Sequence, residues 1–209
     1  MTTITIIGAG NMGTAIAGIA AKGGTGVQVL APTAEHSAAA AAAAGASATS
    51  GVVGDALTGD IVVLAVPYPA LSEVLDRYAD QFEGKTIVDI TNPLDFATFD
   101  SLVVPADSSA AQEIAARVPG ASVLKAFNTT LAATLTTGQV GGQPTTVLIV
   151  GDNGDAKAAL ASVLEAGGIA AIDAGALKRA RELEALGFLQ LTLAAGEKIS
   201  WAGGFAVEK

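Results

Sequence analysis

The residues best suited to chemistry here are glycines. "GAGNMG", Gly8-Ala9-Gly10-Asn11-Met12-Gly13, follows the apolar run Ile4-Thr5-Ile6-Ile7 and matches Gly-x-Gly-x-x-Gly. In that pattern Gly8 allows a tight turn, Gly10 lets a pyrophosphate approach the backbone, and Gly13 lets a helix pack on the strand. The free N–H groups and partial positive charge of the helix N-terminus then meet the phosphates. In a chain with 25 glycines the pattern alone is weak. Its place, after a strand and at the start of a helix, separates a dinucleotide loop from a structural turn.

The second strand bears on which dinucleotide. An NAD site usually places an acid about 20 residues on, bonding the ribose 2′-hydroxyl. Here the strand ends Val29-Leu30-Ala31-Pro32-Thr33, and no acid comes before Glu35. Nothing repels a 2′-phosphate, which favours NADP. Arg and Lys are also missing between Gln28 and Gly45. The available donors are the Thr33 hydroxyl, Ser37, His36 and the first amides of the next helix. His36 is the only histidine, and it reads equally as a solvated surface residue.

Other strand ends carry loop formers and side-chain hydrogen bonders: Ala65-Val66-Pro67-Tyr68, Thr91-Asn92-Pro93-Leu94 and Ala126-Phe127-Asn128-Thr129. Pro67 alone could simply stop a strand. Together with the glycine loop these ends read as the rim of a nicotinamide site, because ligands of open parallel sheets bind outside the carboxyl ends of strands. The Asn128 amide, with donor and acceptor groups, is suited to orienting a carboxamide or an acceptor carbonyl.

No side chain is expected to act as a catalytic acid, base or nucleophile. There is no cysteine and no second histidine, and no His/Cys/carboxylate cluster has metal-ligand spacing. Hydride transfer between two rings needs none, since the cofactor carries the chemistry. Near the C-terminus, Lys178–Glu182 and Arg181–Glu184 have the spacing of intrahelical ion pairs. Alternatively, Lys178, Arg179 or Arg181 attracts an anionic acceptor. Trp201, the sole tryptophan, is either a core or dimer anchor or a wall of the acceptor pocket. Gly203-Gly204 could bring backbone against a flat ring or merely end a helix.

The elements that must position these residues are short β-branched runs alternating with alanine-rich helical runs. Strands are expected near 4–7, 27–30, 60–67, 86–91, 122–126, 145–150 and 169–172. Helices are expected at 12–22, 34–44, 69–78, 108–117 and 155–166, with one long or two short helices from Ala176 to about Trp201. This alternation predicts an α/β fold, a doubly wound parallel Rossmann sheet. Residues 1–174 are expected to form the dinucleotide-binding part and 175–209 a small helical C-terminal appendage. The chain has 209 residues, is 51% hydrophobic and carries a formal net charge of -9. That charge argues against nucleic acid as a partner. No apolar run reaches the roughly 18 residues of a membrane span. A cytoplasmic homodimer, paired through the apolar tail, is expected.

Five segments together resemble a known family: "TITIIGAGNMGTAIA", "DIVVLAVPYPAL", "GKTIVDITNPL", "LKAFNT" and "IDAGALKRARELE". They resemble, in the same order, the F420-dependent NADP reductases and the related cytoplasmic domains of STEAP metalloreductases. The resemblance implies a homodimer that moves hydride between NADP(H) and a flat acceptor, such as the deazaflavin coenzyme F-420. It implies cofactor contacts at Gly8–Gly13, Ala31–Thr33, Ala65–Tyr68, Asn92–Pro93 and Ala126–Asn128. The acceptor pocket would be closed by Trp201-Ala202-Gly203-Gly204-Phe205. The strict deazaflavin reductases carry Ser-Arg where this chain has Ala31-Pro32, and a histidine where it has Asn128. Other acceptors, such as a flavin, a quinone or an imine, and a non-catalytic NADP sensor are the competing readings.

Overall fold

The computed structural model describes residues 2–208. Its first strand, β1 (Thr3–Ile7), turns through the glycine loop into α1 (Asn11–Lys22). β2 (Gly26–Ala31) leads into α2 (Ala34–Ala44). Alanine is the best helix former, which carries α2 through its seven-alanine run Ala38–Ala44 up to Gly45. Then come β3 (Ala48–Val52), β4 (Ile61–Leu64), α3 (Leu71–Arg77), β5 (Thr86–Asp89), α4 (Ala110–Arg117) and β6 (Ser122–Lys125). α5 (Ala132–Thr137) and a small hairpin, β7 (Gln139–Val140) with β8 (Gln143–Pro144), precede β9 (Thr146–Gly151). The chain continues through α6 (Gly154–Ala166), β10 (Ala170–Asp173) and α7 (Ala180–Ala195).

The main sheet is ordered β10-β9-β6-β5-β4-β1-β2-β3. From β3 across to β6 all pairs are parallel, but β9 runs antiparallel to β6, and β10 runs parallel to β9. The fold is thus α/β and Rossmann-like with a mostly parallel sheet, as expected, and β9 and β10 run against the other strands. Topology reverses between β1 and β4, which places a crevice beyond their carboxyl ends, where open α/β sheets take ligands.

Both faces of the sheet are covered, which is why β4 reads as an unbroken apolar run. One face packs Ile16, Ala17 and Ala20 of α1, Ala40 and Ala41 of α2, and Leu160 and Leu164 of α6. The other packs Val74 and Leu75 of α3, Ile114 of α4, and Ala180 and Leu183 of α7 around Tyr78 and Phe82. α7 therefore shares the sheet's own core. The helix expected to reach Trp201 ends at Ala195, where Gly196 caps it.

Three elements lack a sequence signature. β3 is an edge strand of sequence ATSGV with a half-exposed burial pattern, so it has no apolar run to mark it. α5 is six residues long and rich in threonine, a weak helix former. The β7–β8 hairpin turns on Gly141 and Gly142, both in the left-handed region, and has two-residue arms too short for any periodicity. Among the described residues, no helix is long and apolar enough to cross a membrane.

Candidate functional site

The glycine loop has the geometry its spacing requires. Gly8 sits at φ 121°, a left-handed conformation that disfavours side chains. A Cβ there would also strike the Ala65 carbonyl, and one on Gly13 would strike the Gly8 carbonyl. These two glycines pack α1 against β1 and β4. Gly10 differs, because a Cβ there meets nothing within 4 Å. It is the N-cap of α1, in extended conformation, and no side chain caps the helix. The first amides of α1 thus open onto free space, which is the requirement for holding a phosphate.

At the end of β2, Ala31 is buried and Thr33 caps α2, its hydroxyl accepting the His36 N–H at 3.3 Å. The same hydroxyl lies 3.0 Å from Nδ1 of the exposed His36 ring. Ser37 is withdrawn from any ligand, since its hydroxyl is buried and donates to the Ala34 carbonyl at 3.1 Å. Glu35 stands in the first turn of α2.

Beyond β4, Ala65 donates its N–H to the Ile7 carbonyl at 2.8 Å, tying the two strand ends together. Val66 is half-buried and Pro67 exposed. The Tyr68 side chain reaches α4, where its hydroxyl donates to Glu113 Oε2 at 2.8 Å. Burial, with this bond second, pushes the phenol up to about 12.

The ends of β5 and β6 meet through amides. Asn92 Nδ2 donates to the Asn128 carbonyl at 3.0 Å, and Asn128 Nδ2 donates to Asn92 Oδ1 at 3.0 Å and to the Leu183 carbonyl of α7 at 2.7 Å. Both Asn128 donors face acceptors, so the amide cannot be flipped without placing oxygen against oxygen. Asn128 is 3% exposed, and its Oδ1 is buried without a hydrogen-bond partner, as is the Thr91 hydroxyl. Buried polar atoms left unpaired are rare enough to require a reason. Phe127, the residue before Asn128, is buried at φ 64°, an outlier for a bulky residue that costs on the order of 1–3 kcal/mol. The turn is held by Thr130, whose hydroxyl donates to the Phe127 carbonyl at 2.7 Å. Pro93 is buried, and its carbonyl accepts the Val103 N–H at 2.8 Å.

Beneath these amides lies a cluster with no local mark in the sequence. Lys125 Nζ is 2.7 Å from Asp89 Oδ2 and 2.8 Å from Glu184 Oε1, all three side chains having no exposed surface. The same ammonium donates to the Thr91 carbonyl at 2.5 Å. Glu184 Oε2 accepts the Ala110 N–H at the start of α4, at 3.1 Å. Burial raises the Glu184 carboxyl above the usual carboxylate range, and Lys125 partly opposes this. The expected pairs Lys178–Glu182 and Arg181–Glu184 do not form among the described residues. Glu184 turns inward, and the surface pair is Arg179–Glu182 at 3.5 Å.

The tail comes back to this region. Gly204, at φ 144°, packs on Gln190 of α7, and Phe205 donates its N–H to Gln190 Oε1 at 3.4 Å. Gly203, Gly204 and Phe205 line a narrow cleft together with Thr129 and Thr130. Trp201 is 56% exposed, so it anchors no core within the chain. No group of three His, Cys, Asp or Glu side chains that could hold a metal occurs among the described residues.

Comparisons with known proteins agree with this geometry. Residues 3–93 match the family described as NADP oxidoreductase, coenzyme F420-dependent. The chain is 32% identical over 132 residues to the rat metalloreductase STEAP3, covering 63% of this chain and 26% of that protein. It is 28% identical over 134 residues to the F420-dependent NADP reductase of Methanocaldococcus jannaschii, covering 61% of this chain and 59% of that one. It thus spans about a quarter and somewhat over half of these two relatives. A crystal structure from Arthrobacter sp. FB24, provisionally assigned as an F420-dependent NADP reductase, superposes over 100% of both chains with a TM-score of 0.85 at 25% identity. The glycine loop and the first strand ends thus lie in the part of the chain that is similar to the F420-dependent NADP oxidoreductase family, and the whole chain shares its fold with the Arthrobacter protein.

Proposed function

We propose that the protein is an NADP(H)-dependent oxidoreductase that passes hydride between the nicotinamide and a flat acceptor such as a deazaflavin. The observation that carries this reading is the uncapped start of α1 beneath Gly10, open where Gly8 and Gly13 of the same loop are tightly packed. When bound, the nicotinamide supplies or accepts the hydride. The α1 amides would hold the pyrophosphate, with Ala9, Asn11 and Met12 around it.

Thr33, His36 and the α2 amides would meet the 2′-phosphate. His36 Nε2 is the ring nitrogen that Thr33 does not hold. With no Arg or Lys there, NADPH should be preferred by less than a charged clamp would give, because charge-assisted bonds are the strong ones. Ala65–Tyr68, Asn92–Pro93 and Ala126–Asn128 would border the nicotinamide. Tyr68 would take part through its backbone, its hydroxyl being held by Glu113.

Thr129, Trp201, Gly203, Gly204 and Phe205 would border the acceptor, with the exposed rings of Trp201 and Phe205 offering flat apolar surface. The protein would act as a cytoplasmic homodimer, and the exposed Leu189, Trp201 and Val207 on α7 and the tail suit a shared surface. The test is NADPH deuterated at the nicotinamide C4, with a panel of deazaflavin, flavin, quinone and imine acceptors. With the deazaflavin or the imine, which receive hydride on carbon and keep the label, deuterium should appear on the reduced acceptor; a flavin or quinone loses it to water and reports oxidation only. Oxidation of NADPH by a carbon acceptor that gains no deuterium refutes direct transfer, and no oxidation with any acceptor leaves the sensor reading.

A further inference from the structure

α7 approaches the strand ends more closely than a side chain would allow. A Cβ on Gly187 would strike Asn92 Oδ1 and lie 2.7 Å from the Asn128 carbonyl and 2.9 Å from its Nδ2. One turn earlier on the helix, Glu184 reaches Lys125, and the intervening turn is pinned by the Leu183 carbonyl accepting from Asn128. Lys125 also holds Asp89 and the Thr91 carbonyl, which precedes Asn92. A single buried ammonium thus joins β5, β6 and α7 directly beneath the amide pair.

Stability is a poor reason for this arrangement. With both carboxylates ionised the three side chains carry one net negative charge in the core. A buried ion pair is often no more stable than apolar residues of similar volume. What such a cluster does supply is direction. Each partner must sit at hydrogen-bond distance from the others, so α7 has one height and one rotation relative to the strand ends. The groups facing Glu184 from neighbouring elements are Lys125, Asp89 and the first amides of α4, which share the load of its charge.

We propose that Lys125 and Glu184 are positioning residues that clamp α7 so that Gly187 fixes the Asn92–Asn128 amide pair at the edge of the cofactor site. The inference rests on the function proposed above, since only a site at these strand ends gives the amide pair something to orient. It leaves the pyrophosphate loop untouched, because among the described residues Lys125 and Glu184 make no hydrogen bond or ion pair with Gly8–Gly13.

The test uses the full chain and two variants, Glu184→Gln, which removes a charge at constant shape, and Gly187→Ala, which inserts a methyl and changes no charge. The first readout needs no cofactor: exchange of the Asn128 side-chain amide protons with solvent, followed by NMR. Both variants should speed that exchange by about tenfold or more, while α1 amides are unchanged. The second readout splits binding from transfer. NADPH affinity should stay within roughly threefold, and single-turnover hydride transfer should fall roughly tenfold to a hundredfold, as expected when only placement is lost. Unchanged Asn128 exchange in both variants overturns the clamp, as does an affinity loss equal to the rate loss. If the unmodified protein binds NADPH but passes hydride to no acceptor, the proposed function fails, while the exchange result still decides the clamp.

Discussion

Around β1 and α1 the candidate site is made of backbone, and around β5, β6 and α7 it is made of side chains. The first region relies on what glycine lacks. Gly8 and Gly13 let strand and helix touch, and Gly10 leaves the helix start open. The second relies on polar groups withdrawn from water, with Lys125, Asp89 and Glu184 beneath two interlocked amides. Backbone amides at a helix start keep their direction whether a phosphate or water meets them, so the first region can stay open. Buried charges tolerate no loss of a partner, so the second must stay closed. A cofactor lying across both would be gripped by one and oriented by the other.

The largest expected effect comes from Gly10→Val. The side chain has room in the protein but occupies the space above the helix start. NADPH binding should weaken by at least about a thousandfold, about 4 kcal/mol, with the thermal midpoint nearly unchanged. Titration by protein fluorescence, with calorimetric melting beside it, checks both halves. Binding retained within a few-fold would place the pyrophosphate elsewhere and dissolve the contrast.

Lys125→Met should do the reverse. It leaves two buried carboxylates without their cation and should destabilise the fold by about 3–5 kcal/mol in denaturant titrations. An effect under about 1 kcal/mol would mean that the second region is as tolerant as an ordinary surface pair.

Asn128→Ala sits between these extremes. It leaves Asn92 Oδ1 without its donor and takes from the Leu183 carbonyl the acceptance it makes beyond its own helix, which should cost about 1–3 kcal/mol of stability. A loss of that size expressed in the transition state slows transfer roughly tenfold to a hundredfold. Transfer at the unmodified rate would remove Asn128 from the site.

Acidity offers a gentler probe. The Glu184 carboxyl is raised above its unfolded value, so the folded protein holds this proton more tightly than the unfolded chain does. The associated stability is present below the unfolded value, near 4.5, and is lost as pH rises through the raised folded one. Unfolding free energy measured from pH 4 upward should therefore show a decline from this group of at most about 1.4 kcal/mol per pH unit, absent in Glu184→Gln. A Glu184→Gln profile parallel to the unmodified one would show the carboxyl to be unperturbed.

The smallest effect is expected at Thr33→Ala. Loss of the α2 cap should cost about 1 kcal/mol of stability. The modest NADPH preference over NADH proposed above should narrow a few-fold in parallel titrations. NADH binding as tightly as NADPH in the unmodified protein would defeat the 2′-phosphate reading outright.

The same contrast separates what is legible in the sequence from what is not. Gly8, Gly10 and Gly13 act within six residues, and α2 announces itself from the Thr33 cap to Gly45 in contiguous letters. The strand ends at Pro67, Asn92 and Asn128 stand out because loop formers follow apolar runs. Asp89, Lys125 and Glu184 are separated by 36 and 59 positions, and nothing local marks them. Lys125 even ends an apolar strand, between the buried Leu124 and Ala126, where a charge hints at a buried partner but does not name it. Glu184 misleads because helical spacing offers it a partner, Arg181, on its own surface. β3 escapes notice because an edge strand needs few apolar residues.

The reversal of β9 has a consequence for where the chain goes last. Had β9 and β10 followed β6 in parallel, the chain would have left the sheet at its ligand edge, and a closing helix would have started there and led away. Instead β10 descends beside β9, and the chain emerges at the opposite edge, where Leu177 donates its N–H to Asp152. From there α7 climbs the height of the sheet, meeting Lys125 with Glu184, the amide pair with Gly187 and the returning tail with Gln190 in that order. One change of strand direction turns a terminal helix into a ruler, whose graduations are set from the far side of the molecule.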